Sequence, residues 1–348
     1  MIETTVQRYD KSNMRKLLVQ FPAQVEQAVR IGRGARIPFK GSAVRNIVVT
    51  GLGGSAIGGD LLRSYAADEL GVPFVVNRHY ALPDFVDQKT LVIVSSYSGD
   101  TEETITAHAD ARRRKAMIVA ITSGGETERL AKKFRHPLIK IPKGYPPRVA
   151  LGFSFFPSLQ VLVSMKLLSS KEKEVKETIA LLQKSSKVYT SLEGNNPALN
   201  LAKQLYTKLP IVYSAADRFD AVNVRWRSQL AENAKILSFG HVLPEMNHNE
   251  IVGWKILQRQ MSEMAAIIVR DRDEHPRIKE RMRITKGIVS EFSSKILEVN
   301  SEGKALLARM FSLVYLGDWT SFYLSLLNGV DPTPVRIIDY LKWELTKS

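Results

Sequence analysis

The sequence predicts an α/β fold of two doubly wound domains, each a mostly parallel sheet flanked by helices. Three observations lead there. From Asn46 onward, short continuous apolar runs alternate with helical stretches, the pattern of strands buried on both faces of a parallel sheet. The first of these runs passes directly into a glycine-rich loop and then a helix. A second strand–turn–helix opening begins at Leu209, as an internal duplication would produce.

Taken in order, residues 1–45 form a helical arm. Met14, Leu17, Leu18 and Phe21 share one apolar face, Pro22 permits a break, and Val25, Ala28 and Val29 resume the face. The first domain, 46–148, carries strands at 46–49, 74–76, 91–94, 117–122 and 138–141. Its helices span 60–65, 102–114 and 126–133. The stiff segment Gly144-Tyr145-Pro146-Pro147-Arg148 marks the exit. Residues 149–187 supply linking helices, one after Pro157 and one over 171–187. The second domain, 188–348, carries strands at 209–214, running into Ala215-Ala216-Asp217, and at 236–238, 265–269 and 295–299. Helices span 222–234, 277–292 and 302–327, the last stopped by Asn328-Gly329.

Composition excludes several classes. The chain has 348 residues, 44% hydrophobic and 24% charged, enough for two domains with substantial cores. With no cysteine, neither a disulfide framework nor thiolate chemistry is available, and a reducing cytoplasm is expected. The first residues show no secretory signal. The most apolar stretch, 150–168, is interrupted by Pro157, Gln160, Ser164 and Lys166, so it reads as a buried helix and no membrane partner is expected. A net charge of +15 favours anionic ligands. The basic residues are scattered and no aromatic-interleaved basic motif occurs, so no nucleic-acid partner is expected.

The segment Thr50-Gly51-Leu52-Gly53-Gly54-Ser55-Ala56-Ile57-Gly58-Gly59-Asp60 follows the first strand. Strand, glycine loop and helix aim backbone amides and a helix dipole at an anion. Gly51 to Ala56 also fits a dinucleotide fingerprint. That reading needs an acidic residue after the next strand, and Asn77-Arg78 stands there instead; Arg78 would suit a 2′-phosphate. A second loop, Ser95-Ser96-Tyr97-Ser98-Gly99-Asp100-Thr101, crowds hydroxyls at another strand-to-helix turn. Loops at the carboxyl ends of neighbouring strands meet at a switch point, where both would hold one phosphate ester. The plainer alternative is that these hydroxyls only cap the next helix.

Two polar groups lie farther along, Glu232-Asn233-Ala234-Lys235 and Pro244-Glu245-Met246-Asn247-His248-Asn249-Glu250. A glutamate and a histidine near an anion site are acid–base pieces; equally, Glu232 would serve as a surface helix residue and His248 as a satisfied loop histidine. Six histidines without cysteine, and no H-E-x-x-H, give no metal-ligand set.

Together these motifs resemble a known family. Gly51-Leu52-Gly53-Gly54-Ser55 and the segment from Ser96 to Thr104 resemble the sugar isomerase (SIS) domain. Glu232-Asn233-Ala234-Lys235, Asn247-His248-Asn249-Glu250 and Asp339-Tyr340-Leu341-Lys342 narrow this to the bifunctional phosphoglucose/phosphomannose isomerases of archaea and bacteria. The likeness runs from about residue 45 to the end. It implies two SIS-type domains and interconversion of glucose 6-phosphate and mannose 6-phosphate with fructose 6-phosphate through a cis-enediolate. It implies no cofactor and no metal, a cytoplasmic location and a homodimer. Gly54, Ser55, Ser96, Ser98 and Thr101 would hold the phosphate, and Arg148 would stabilise the enediolate. Glu232 would move the proton between C1 and C2, with Glu250 the next carboxylate in line. His248, contributed across the dimer, would open the ring, and Lys342 would assist from a C-terminal helix. Asp100 stands where many relatives have asparagine, and it is expected to face outward and cap the helix. Alternatives are a non-catalytic sugar-phosphate-binding SIS protein, a nicotinamide-dependent oxidoreductase, and an isomerase of another sugar phosphate.

Overall fold

The computed structural model describes residues 2–192, 194–216, 218–345 and 347; Asp217, at the end of the expected strand 209–214, lies outside them. The N-terminal arm comprises α1 (Ile2–Tyr9), α2 (Met14–Val19) and α3 (Phe21–Arg33). The break falls at Gln20, with Pro22 in the first turn of α3, where its missing N–H costs nothing. The first sheet is built from β1 (Asn46–Thr50), α4 (Gly54–Ala66), β2 (Phe74–Asn77), β3 (Thr90–Ser96), α5 (Glu102–Arg113), β4 (Met117–Thr122), α6 (Gly125–Lys133) and β5 (Leu138–Lys140). A 3-10 turn, Pro147–Val149, then leads to α7 (Leu151–Ser164), α8 (Glu172–Thr190) and α9 (Pro197–Leu205). The second sheet follows: β6 (Leu209–Ala215), α10 (Asp220–Glu232), β7 (Phe239–Leu243), α11 (Gln258–Met261), β8 (Met264–Arg270), α12 (Pro276–Ser290) and β9 (Lys295–Asn300). Two 3-10 turns, Glu245–His248 and Glu250–Gly253, separate β7 from α11, and α13 (Leu306–Leu327) and α14 (Arg336–Leu345) end the chain.

Both sheets are parallel throughout. The first has strand order β2-β1-β3-β4-β5 and the second β7-β6-β8-β9, so the first four strands repeat one order. In each, the order reverses beside the opening strand, and the crevice at the carboxyl ends of β1 and β3 is the expected ligand position. One large core joins the inner faces of both sheets through α3, α7, α8 and α13. α13 is buried on every side, as a helix apolar all round must be, yet it carries Arg309 and Asp318. Among the described residues no helix is long and apolar enough to cross a membrane.

Several expected boundaries move. The helix expected from Asp60 begins at Gly54. Glycine there serves close packing as well as the turn: a Cβ on Gly58 would overlap Ser154 of α7. The strand expected at 236–238 is β7, Phe239–Leu243, an edge strand with only Leu243 buried, so it lacks the apolar run of a covered strand. The helix read as following Pro157 is α7, which begins at Leu151 and contains that proline. The helix expected from 302 starts at Leu306.

Candidate active site

At the carboxyl end of β1 the chain turns at Gly53, φ +53°, into α4, whose start has no side-chain cap. The amides of Ser55 and Ala56 bond back to the Leu52 carbonyl at 3.1 and 3.4 Å, so the turn offers an anion the Gly54 amide and the helix dipole. Gly54 abuts the turn that carries Arg148 so closely that a Cβ would collide with the Pro147 carbonyl. The glycine loop and Arg148 are thus packed backbone against backbone.

The two loops meet as the switch point requires. Ser55 Oγ accepts from the Tyr97 amide at 3.2 Å, tying the first loop to the second. Ser96 Oγ accepts from the Gly99 amide at 3.1 Å and donates to Thr101 Oγ1 at 3.3 Å. Ser98 is exposed and its Oγ accepts from the Asp100 amide at 3.3 Å. Thr101 is the N-cap of α5 but makes no side-chain cap bond, so the hydroxyls are not accounted for as caps of that helix. Asp100 does face outward, but the helix it caps is α6: its Oδ1 accepts from the Glu126 amide at 2.8 Å.

A cavity of about 110 Å³ lies beside the first loop, lined by Gly53 and Gly54, by Arg78 and Arg148, and by the face of α10 that carries Arg225, Gln229 and Glu232. Arg78 is ion-paired with Asp60. Arg148, 3% exposed, donates from Nε to Asn233 Oδ1 at 2.6 Å and from Nη2 to the carbonyls of Pro332 and Thr333 at 2.6 and 2.8 Å. Its Nη1 remains for Glu232 Oε2 at 3.5 Å. Burial pulls the Arg148 guanidinium below its usual range, and Glu232 opposes that shift; an arginine stays charged here. A cation is therefore held, by groups other than Glu232, beside a half-exposed carboxylate. Such a pair can take a proton from carbon and stabilise the oxyanion that results.

The sequence-predicted residues divide accordingly. Gly54, Arg148 and Glu232 come together at the cavity. Ser96, Ser98 and Thr101 form the adjoining loop and Ser55 is tied to it from the start of α4, but none of the four lines the cavity. His248 is exposed at the end of a 3-10 turn after β7 and does not line it either. Glu250 accepts from Tyr213 Oη at 2.6 Å, so it is engaged elsewhere. Lys342 is exposed on α14, which buries none of its residues. Among the described residues no three His, Asp or Glu side chains converge as metal ligands. A larger groove of about 760 Å³ between α3 and α8 has no comparable acid–base pair.

Comparison with known proteins now decides the family. The model of the SIS domain matches residues 42–145, and that of the bacterial phospho-glucose isomerase C-terminal SIS domain matches 194–345. A bifunctional phosphoglucose/phosphomannose isomerase of Caldicellulosiruptor bescii is 41% identical over 96% of this chain and 99% of its own length. The chain belongs to the bifunctional phosphoglucose/phosphomannose isomerase family. A second member, from Aquifex aeolicus, is 34% identical over 89% of this chain and 92% of its own length. A hypothetical protein from Thermus thermophilus shares the fold at 16% identity and TM-score 0.72, covering 99% of this chain and 94% of its own. The family expected from the motifs and the two-domain SIS fold are both borne out, and membership argues against the dinucleotide reading.

Several residues around the site take a role that the sequence motifs do not assign. Asn233 is fully buried and links Arg148 to Ser321 Oγ of α13, donating to the latter at 3.0 Å. Lys235 donates to the carbonyls of Glu232 and of Pro334, the latter at 2.6 Å, and so clamps the 332–334 segment on the end of α10. The Asn-Ala-Lys part of the Glu232 motif is thereby scaffolding for its glutamate. Thr333 Oγ1 is buried without a partner beside the carbonyl that holds Arg148. Asp318 accepts from Arg225 at 3.1 and 2.8 Å, and Arg225 donates to the Arg148 carbonyl at 2.7 Å. One signal was readable: a lone carboxylate in so apolar a helix as α13 must have a buried partner.

Proposed function

We propose that this chain interconverts glucose 6-phosphate and mannose 6-phosphate with fructose 6-phosphate through a cis-enediolate. Family membership and the Glu232–Arg148 pair support this reading, and the pair is the observation that carries it. Glu232 removes the proton at C2 of the open-chain aldose and returns it to C1. Arg148 stabilises the charge that gathers on the oxygens meanwhile. The intermediate has no stereocentre at C2, so glucose and mannose substrates give one enediolate. Gly54, Ser55, Ser96, Ser98 and Thr101, with the α4 N-terminus, hold the phosphate. No cofactor takes part in this scheme.

The finer assignments belong to the same proposal. The SIS units are 46–148 and 188–348, joined by 149–187, with 1–45 as an arm. The enzyme works in the cytoplasm as a homodimer, with His248 opening the sugar ring in the partner's site and Lys342 assisting. In support, the chain around His248 leaves Phe239, Val252 and Ile256 at 53, 78 and 79% exposed, and α14 exposes Ile337 at 85%. Apolar surface of that extent marks an association face.

The test is a coupled assay on both aldose phosphates, run also in D₂O. Wild-type protein forms fructose 6-phosphate from each and incorporates solvent deuterium. Glu232→Gln, which keeps the shape but cannot accept the proton, loses about 10²–10⁴-fold in kcat and incorporates none. Normal turnover by Glu232→Gln would remove the assigned base.

A further inference from the structure

Gln229 has no part in the scheme above. It lies on α10, three residues before Glu232, and lines the same cavity. The side chain is fully buried. Its Nε2 donates to Asp318 Oδ1 at 2.9 Å, and Asp318 is at the same time gripped by Arg225 through both oxygens. A carboxylate bonded to a guanidinium only accepts hydrogen bonds, so the amide must present its nitrogen to Asp318. The oxygen then faces away, and Gln229 Oε1 is buried with no hydrogen-bond partner. Buried acceptors in folded proteins are paired, and an exception on a cavity wall calls for a ligand donor.

The position of that donor follows from the helix. Residues three apart share a face and are separated by about 4.5 Å along the axis. Gly54, Gln229 and Glu232 line one cavity, so a substrate with its phosphate at Gly54 and its C1–C2 bond at Glu232 passes the wall that Gln229 helps to form.

We infer that Gln229 is a specificity-determining residue whose Oε1 accepts a hydrogen bond from the C3 or C4 hydroxyl of the open-chain sugar phosphate. Asp318 and Arg225 act as positioning residues that fix the amide's orientation. The inference rests on the isomerase reading.

The experiment compares glucose 6-phosphate with its 3-deoxy and 4-deoxy analogues, using wild-type protein and Gln229→Met. Wild type favours the parent over one analogue by roughly tenfold to a hundredfold in kcat/KM. Gln229→Met, similar in size but without the acceptor, loses that preference at the same position and keeps whatever preference exists at the other. A merely structural role would lower turnover of all three substrates alike and leave the ratios intact, which overturns the inference. If Gln229→Met does not fold, wild type alone decides: equal kcat/KM for the parent and both analogues overturns it. Failure of wild type to isomerise glucose 6-phosphate at all would instead sink the isomerase reading.

Discussion

Arg148 and Glu232 stand 84 residues apart in sequence and meet at 3.5 Å on the wall of one cavity. The arginine does not depend on the glutamate for its place. Three of its hydrogen bonds go to Asn233, Pro332 and Thr333, so its remaining nitrogen is aimed before any substrate arrives. Preorganised donors of this kind contribute most where charge develops during the reaction.

Lysine at position 148 keeps the charge but cannot reproduce the planar fork. Arg148→Lys should therefore lower kcat by roughly 10²–10³-fold with KM little changed. Losing the bond to the Thr333 carbonyl, and one of the two that the Pro332 carbonyl accepts, should also cost about 1–3 kcal/mol of stability. Steady-state kinetics and urea unfolding read the two effects separately. A kcat within threefold of wild type would show that Arg148 only holds the 332–333 segment.

How much of this was legible in the sequence depends on which force placed each element. β3 is buried along its whole length, and burial on both faces leaves a continuous apolar run that reads directly. β7 is an edge strand, half exposed and with Gly240 inside it, so its signal was weak and its place was read three residues early. The start of α4 was misread because glycine propensity says loop, whereas Gly54 and Gly58 answer to neighbours at 147 and 154 that no local window contains. The site shows the same division. Gly54 and the hydroxyl loop were readable from local chemistry, and Arg148 and Glu232 from the family motifs. Gln229, Asn233 and Asp318 were not, because their meaning lies in contacts between α10 and α13, 88 or 89 residues apart in sequence.

His108 and His136 give a stability prediction independent of catalysis. His108 Nε2 and His136 Nδ1 lie 3.0 Å apart, and His108 is 1% exposed. Burial first, and His136 second, push His108 down to about 4 from 6.5. Burial and then Arg112 lower His136 as well. A folded-state pKa below the unfolded one means that the unfolded chain binds the proton first, so stability rises with pH in this window. The contribution is complete above about pH 6.5 and is lost as pH falls through about 4, on the order of 2–3 kcal/mol. Urea unfolding between pH 7 and 4.5 should show this decline in wild type and a shallower one in His108→Phe. Parallel declines in the two proteins would assign the acid sensitivity to other groups.

The proposed division of the site between subunits predicts complementation between two inactive variants. In this chain His248 is exposed after β7 and does not line the cavity that Glu232 lines. Glu232→Gln and His248→Ala should each be nearly inactive alone. A two-fold symmetric dimer formed from one copy of each holds one site missing both groups and one site with both intact. Random exchange of equal amounts makes half the dimers mixed, so activity should recover to roughly a quarter of wild type. The recovery should appear only after subunits have exchanged, at a rate that follows exchange measured with differently labelled chains. Were both groups drawn from one chain, every site in the mixed dimer would still lack one of them. Mixed dimers detected without recovered activity would therefore place His248 in its own chain's site, whereas full activity of His248→Ala alone would place it outside catalysis.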